Sequence, residues 1–167
     1  MIKIIKKNSG YTIIELLFYI ALFSVLSVVV INAMLTMAKA FKETAIQAEL
    51  VQSGTIMERM SREIRGAYDI DPTSTSTDLK LNTKDSGGAN KTVELLLSGT
   101  NLELIENGTL TGNLNTSKIN VTAVTFTQIT TTQGKAVKIF LTIRSVDDIL
   151  ARTQDFYDTV VLRGSYQ

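Results

Sequence analysis

The chain has 167 residues, 17 of them Lys or Arg and 16 Asp or Glu, for a formal net charge of +1. That balance leaves no polybasic face, so no direct nucleic-acid partner is expected. With no cysteine and no histidine, a disulfide framework and thiolate metal sites are excluded. The commonest general base and the commonest zinc ligand are missing too, and an enzymatic function is not expected.

The chain opens on a basic leader with Lys3, Lys6 and Lys7, followed by Asn8-Ser9-Gly10-Tyr11-Thr12. An apolar run comes next, entered by a single acid, Glu15, and no charge occurs from Leu16 to Ala38. At ~1.5 Å of rise per residue a helix over that span is ~34 Å long, enough to cross a bilayer. A carboxylate near the start of such a helix is costly in lipid unless something neutralises it, which makes Glu15 a candidate functional residue. The leader lysines place the N-terminus in the cytoplasm and the rest of the chain beyond that membrane. An ordinary secretory signal has a shorter apolar core and a cut after it. Here Gly10 and Tyr11, the candidate scissile pair, precede the core. A residue without Cβ offers an unhindered backbone to a peptidase at the membrane face.

The helical pattern continues past the apolar run. Ile46, Leu50, Met57, Met60, Ile64 and Ala67 recur as a one-sided stripe. Lys39/Glu43, Glu58/Arg62 and Arg59/Glu63 are opposite charges at i,i+4. Together these predict one helix from about Ile13 to Asp69, ~85 Å long. Gly54 is its weak point, costing ~1 kcal/mol against alanine. Asp71-Pro72 ends it, because proline disfavours helical geometry in the residue before it.

Strand periods follow a polar linker, Thr73 to Thr77, and a loop, Asp85 to Gly88. Thr92 to Leu97 and Leu102 to Glu106 are strands joined by a hairpin at Ser98-Gly99-Thr100-Asn101. Asn107-Gly108 fits a type I′ turn before Thr109 to Thr111. Ile119, Val121, Val124 and Phe126 mark a longer strand with a bulge near Ala123. Val137, Ile139, Leu141 and Ile143 mark another, and Phe156 to Leu162 the last. Thr130 to Gly134 and Val146 to Gln154 read as loops. The expected class is α+β: one long helix, then a mostly antiparallel sheet packed on the stripe from Ile46 to Ala67.

The opening segment resembles the class III signal of type IV prepilins and type II secretion pseudopilins. The pattern is a basic leader, Gly at the cut, an aromatic or apolar first mature residue, then Thr, with Glu fifth. It is matched at Gly10, Tyr11, Thr12 and Glu15. The resemblance implies a pilin-like fold and four regions: leader 1–10, transmembrane and assembly helix 11–38, amphipathic spine helix 39–70, and β-rich head 71–167. It implies cleavage after Gly10 by a prepilin peptidase and N-methylation of Tyr11. It also implies that Glu15, helped by Thr12, pairs with the N-terminal amine of a neighbouring subunit. The implied partners are other major and minor pilins or pseudopilins, the membrane platform protein of the assembly machine, and the inner membrane. No cofactor and no metal is implied.

Met57 to Ala67, and a last strand ending Val161-Leu162-Arg163, resemble J-class pseudopilins and W-class minor pilins. Asn32 stands where major pilins often have a helix-kinking proline. The expected function is therefore that of a minor subunit that helps initiate or cap a type IV pilus, competence or secretion pseudopilus. The alternative is a single-pass, membrane-anchored binding module that does not polymerise. Asp69 with Asp71, and Asp147 with Asp148, are expected to be solvated loop acids, since a calcium site needs six to eight oxygens in a shaped loop. Asn107-Gly108-Thr109 is read as a turn, not as a glycosylation site. No phosphate-binding loop is present, so any motor must be another protein.

Overall fold

The computed structural model describes residues 11–165, so Gly10 and the leader residues Lys3, Lys6 and Lys7 lie outside the described residues. The chain divides into two units, one ending at Thr44 and the other beginning at Ala45. The first helix, α1 (Ile13–Gln52), starts in the first unit. Within that unit it passes Asn32 without a break. Its hydroxyls are satisfied locally. Ser24 and Ser27 each donate to the carbonyl four residues back at 2.8 Å, and Thr36 does so at 2.9 Å. Such back-bonding lets a hydroxyl sit in hydrocarbon without a water partner. Among the described residues, one helix is long and apolar enough to cross a membrane.

The second unit takes the last turns of α1 and then α2 (Gly54–Gly66). The helix expected to be continuous is interrupted at one residue, Ser53, next to the predicted weak point. Ser53 keeps a right-handed conformation (φ −66°, ψ −13°). Its carbonyl accepts from the Ile56 amide at 3.0 Å, an i→i+3 bond that tightens the turn. Meanwhile the Ser53 hydroxyl donates to the Glu49 carbonyl at 2.8 Å.

The helix also ends earlier than predicted, at Gly66 and not at Asp69. Ala67 is extended (φ −75°, ψ 147°). The Tyr68 amide bonds the Asn82 carbonyl at 2.9 Å, and the Thr83 hydroxyl donates to the Gly66 carbonyl at 3.2 Å. The sheet therefore captures the chain before Pro72 can act, and the region assigned to the spine, 39–70, ends in a short strand.

Among the described residues, eight strands form two antiparallel sheets, where one was expected. The first is a meander of β1 (Asp69–Ile70), β2 (Asp78–Lys84), β3 (Asn90–Ser98), β4 (Asn101–Glu106) and β5 (Thr109–Asn113). The second contains β6 (Ile119–Thr131), β7 (Gly134–Ser145) and β8 (Thr153–Val161), also in chain order. The Asn107-Gly108 turn has both residues at positive φ, 49° and 76°, as a type I′ turn requires. The β6–β7 register shifts between Val121 and Ala123, a bulge where one was expected. The predicted loop from Thr130 to Gly134 shrinks to two residues, because Thr131 pairs with Gly134.

Asn115 stitches the sheets together. It is 7% exposed; its Oδ1 accepts from the Leu102 amide at 2.9 Å and its Nδ2 donates to the Ile119 carbonyl at 2.7 Å. A single core results. Every member of the predicted stripe, Ile46, Leu50, Met57, Met60, Ile64 and Ala67, is buried with Leu79, Leu81, Leu95, Val121, Ile139 and Ile143. Full burial of a Met or Ile side chain stabilises by about 1.5–3 kcal/mol, so this stripe holds the spine to the sheets.

Candidate assembly site and the network of the head

Thr12 is the N-cap of α1. Its Oγ1 accepts the Glu15 amide at 3.3 Å, and its carbonyl accepts the Leu16 amide at 3.1 Å. Thr12-Ile13-Ile14-Glu15 has the spacing of a capping box. Here, though, the Glu15 side chain turns along the helix, and the Tyr19 hydroxyl donates to its Oε1 at 3.3 Å. The Tyr11 and Tyr19 rings meet edge-on, with centroids 6.3 Å apart and planes at 81°. Tyr11, Thr12, Glu15 and Tyr19 thus gather on the first turns of the apolar helix.

A carboxylate in the first turn is favoured by the helix dipole. It has acceptor capacity for more than one donor, and a neutral hydroxyl supplies only one. No described cation pairs with it. The arrangement is a carboxylate held in place and open to an ammonium group. The structure brings together Tyr11, Thr12 and Glu15, all singled out in the sequence, and adds Tyr19. The signal for Tyr19 was its i+4 spacing from Glu15, a spacing that puts both side chains on one helical face.

A second polar network lies inside the head. Glu49 accepts from the Ser145 hydroxyl at 2.8 Å and from Lys118 Nζ at 3.1 Å. The Ser145 bond, with Lys118 second, lowers the Glu49 pKa, and Glu49 in turn raises that of Lys118. Beside it runs a groove of about 280 Å³ lined by Ser53, Ile56, Leu114 and Lys118.

Asp148 corrects the expectation of a solvated loop acid. It is 7% exposed and accepts Arg152 Nε at 2.9 Å and Nη2 at 3.2 Å. It also takes the backbone amides of Leu150 and Arg152 at 3.1 and 3.0 Å. The Arg152 guanidinium chiefly holds its carboxyl at a pKa of about 2. Asp147, its neighbour, is exposed as expected. Asp69 pairs with Lys135, and Asp71 caps its own turn by accepting the Thr73 amide at 2.9 Å. Among the described residues, no group of three or more His, Cys, Asp or Glu is placed to hold a metal ion.

A family model, the prokaryotic N-terminal methylation motif, matches residues 5–31. No curated protein and no solved structure matches the chain significantly. The matched span covers Gly10, Tyr11, Thr12, Glu15 and Tyr19, and the head lies beyond it. The motif, the capped acid and the apolar helix coincide on one segment, the chain has an α+β pilin-like architecture, and the class III signal supports a type IV pilin-like or pseudopilin precursor.

Proposed function

We propose that this chain is a minor pilin or minor pseudopilin, a processed and membrane-anchored structural subunit that helps initiate or cap a filament. Its role is structural and not enzymatic. The observation that carries the reading is Glu15, a capped carboxylate at the head of an apolar helix, with a tyrosine hydroxyl as its donor and no described cation beside it. Left alone in lipid such a charge is disfavoured, and pairing with the amine of a neighbouring subunit removes that penalty.

Before assembly, prepilin peptidase cuts after Gly10 and the new Tyr11 amine is methylated. The leader lysines hold the N-terminus in the cytoplasm and the head lies outside. The platform protein then passes the subunit into a growing filament with other pilins. Edge strands β1, β5, β6 and β8 offer backbone groups for contacts between heads. The unbroken helix at Asn32 supports a minor role, as does the partial likeness to J- and W-class subunits. Counting subunits in sheared filaments tests it. A low-copy subunit appears at a small fraction of the major pilin, and filaments built mainly of this chain would overturn the minor role.

A further inference from the structure

The loop between β7 and β8 exposes the most apolar tip on the head. Val146 is 52%, Leu150 74% and Ile149 85% exposed, and Ile149 exceeds every other large hydrophobic residue described. The tip is nevertheless firmly built. The buried Asp148 carboxylate takes the amides of Leu150 and Arg152 and two nitrogens of the Arg152 guanidinium. Ala151 sits at φ 52°, a left-handed conformation unfavourable for a residue with a Cβ. At the base, the Asp147 amide bonds the Ser145 hydroxyl at 3.3 Å, and that hydroxyl donates to Glu49. A buried acid and a strained alanine thus hold two aliphatic side chains in water, a cost with no return in the isolated head. Such strain points to an occupant.

We infer that the β7–β8 loop docks on lipid, with Ile149 and Leu150 entering the headgroup–acyl boundary of the membrane that anchors the chain. The inference rests on the membrane-anchored reading of the apolar helix. The covalent tether makes the bilayer the favoured occupant. The loop is braced to Glu49, one helical turn past Ala45, where the head unit begins. From Ala38, the last residue of the uncharged run, to Ala45 the chain can reach at most about 25 Å at ~3.5 Å per residue. The end of the head that carries Glu49 is therefore kept at a high effective concentration of lipid. A soluble partner has no such advantage. Charge agrees: Glu49 and Asp148 are paired with Lys118 and Arg152, leaving exposed Asp147. The tip offers no cationic attraction for a polyanion, and apolar insertion remains as its driving force.

The lack of cysteine makes site-specific labelling clean. The full chain, carrying one environment-sensitive NBD probe at a time, is reconstituted in phosphatidylcholine vesicles with and without nitroxide-labelled lipid. Probes are placed at Leu150→Cys, at Ala21→Cys within the apolar helix, and at Gln133→Cys in the turn at the opposite end of β7. The probe at position 21 reports insertion by itself and must be quenched if the chain is anchored. Docking predicts that the probe at 150 shifts to the blue and loses most of its emission to nitroxide lipid, while that at 133 stays water-like. A water-like, unquenched probe at 150 with a quenched one at 21 overturns the docking and leaves the anchor standing. A blue shift at 150 without lipid quenching shows a protein occupant and also overturns it. Equal quenching at 150 and 133 overturns the tip as the specific contact.

Discussion

The Tyr19 hydroxyl donates to Glu15 Oε1 across one turn of α1, at 3.3 Å. The bond holds the carboxylate of the proposed assembly site along the helix, away from the amide of its own N-cap. A hydrogen bond to a charged group of this kind is worth about 1.5–3 kcal/mol. Tyr19→Phe keeps the ring against Tyr11 and removes only the donor. The variant should insert normally and lower the yield of cross-links to partner subunits by roughly tenfold, taking ~1.5 kcal/mol for this long bond to a carboxylate. Unchanged yield would mean that the hydroxyl does not orient Glu15 for assembly.

Processing is the next expectation, motivated by Gly10-Tyr11 between the basic leader and the apolar run. Mass spectrometry of membrane-extracted protein should find a chain beginning at N-methyl-Tyr11. Replacing Gly10 with valine should leave the leader attached, because a branched Cβ obstructs the extended backbone that the peptidase reads. A retained Met1 in cells with active peptidase, or a cut beyond Ala38, would contradict the class III reading.

The spine makes a prediction about stability. Met60 and Ile64 are fully buried between α2 and the sheets. Met60→Ala should cost about 2–5 kcal/mol through lost contact and the cavity left behind. Ile64→Asp should unfold the head, since it buries a charge with no partner. Circular dichroism melts of a head fragment beginning at Lys39 read both, and a parental melting temperature for Ile64→Asp would show that the spine does not pack as described.

Much of this packing was legible from periodicity. All six apolar positions of the stripe are buried, and Asn107-Gly108 made the turn its residue types demand. The division into two sheets was not legible, because it depends on long-range partners. Asn115 bonds Leu102 and Ile119, and nothing local to Asn115 names them. Strand β2, Asp78–Lys84, was missed between the Thr/Ser-rich linker and the Asp85 loop, although Leu79 and Leu81 alternate there with polar residues. The helix end at Gly66 depended on Asn82 and Thr83, again through distant hydrogen bonds. In the site, Thr12 and Glu15 stood out by motif and by the cost of charge in lipid. Asp148 looked like any loop acid, since its burial comes from the fold of the loop around it.

Asp148 also sets a pH dependence. Its folded pKa, about 2, is depressed below the ordinary carboxylate value by Arg152. Its contribution to stability is therefore present above the unfolded pKa and is lost as pH falls through about 2. Glu49, lowered by Ser145 and Lys118, acts with the same sign. Thermal melts between pH 5 and pH 2 should show the parent losing stability on acidification. Asp148→Asn should start less stable and lose less over the same range. Parallel pH profiles for the two proteins would show that Asp148 does not carry this linkage.

The central claim is that Glu15 drives subunit pairing within the membrane. Its most direct test is cysteine cross-linking between this subunit and a second pilin, with Glu15 intact and with Glu15→Leu. Each chain carries one introduced cysteine in its apolar helix. Glu15→Leu makes the segment more apolar, so both proteins should reach the membrane in equal amounts. A large loss of cross-linked product in Glu15→Leu at equal membrane abundance is the result predicted for an assembling subunit. Equal cross-linking in the two proteins would contradict pairing through Glu15 and favour an anchored binding module that does not polymerise.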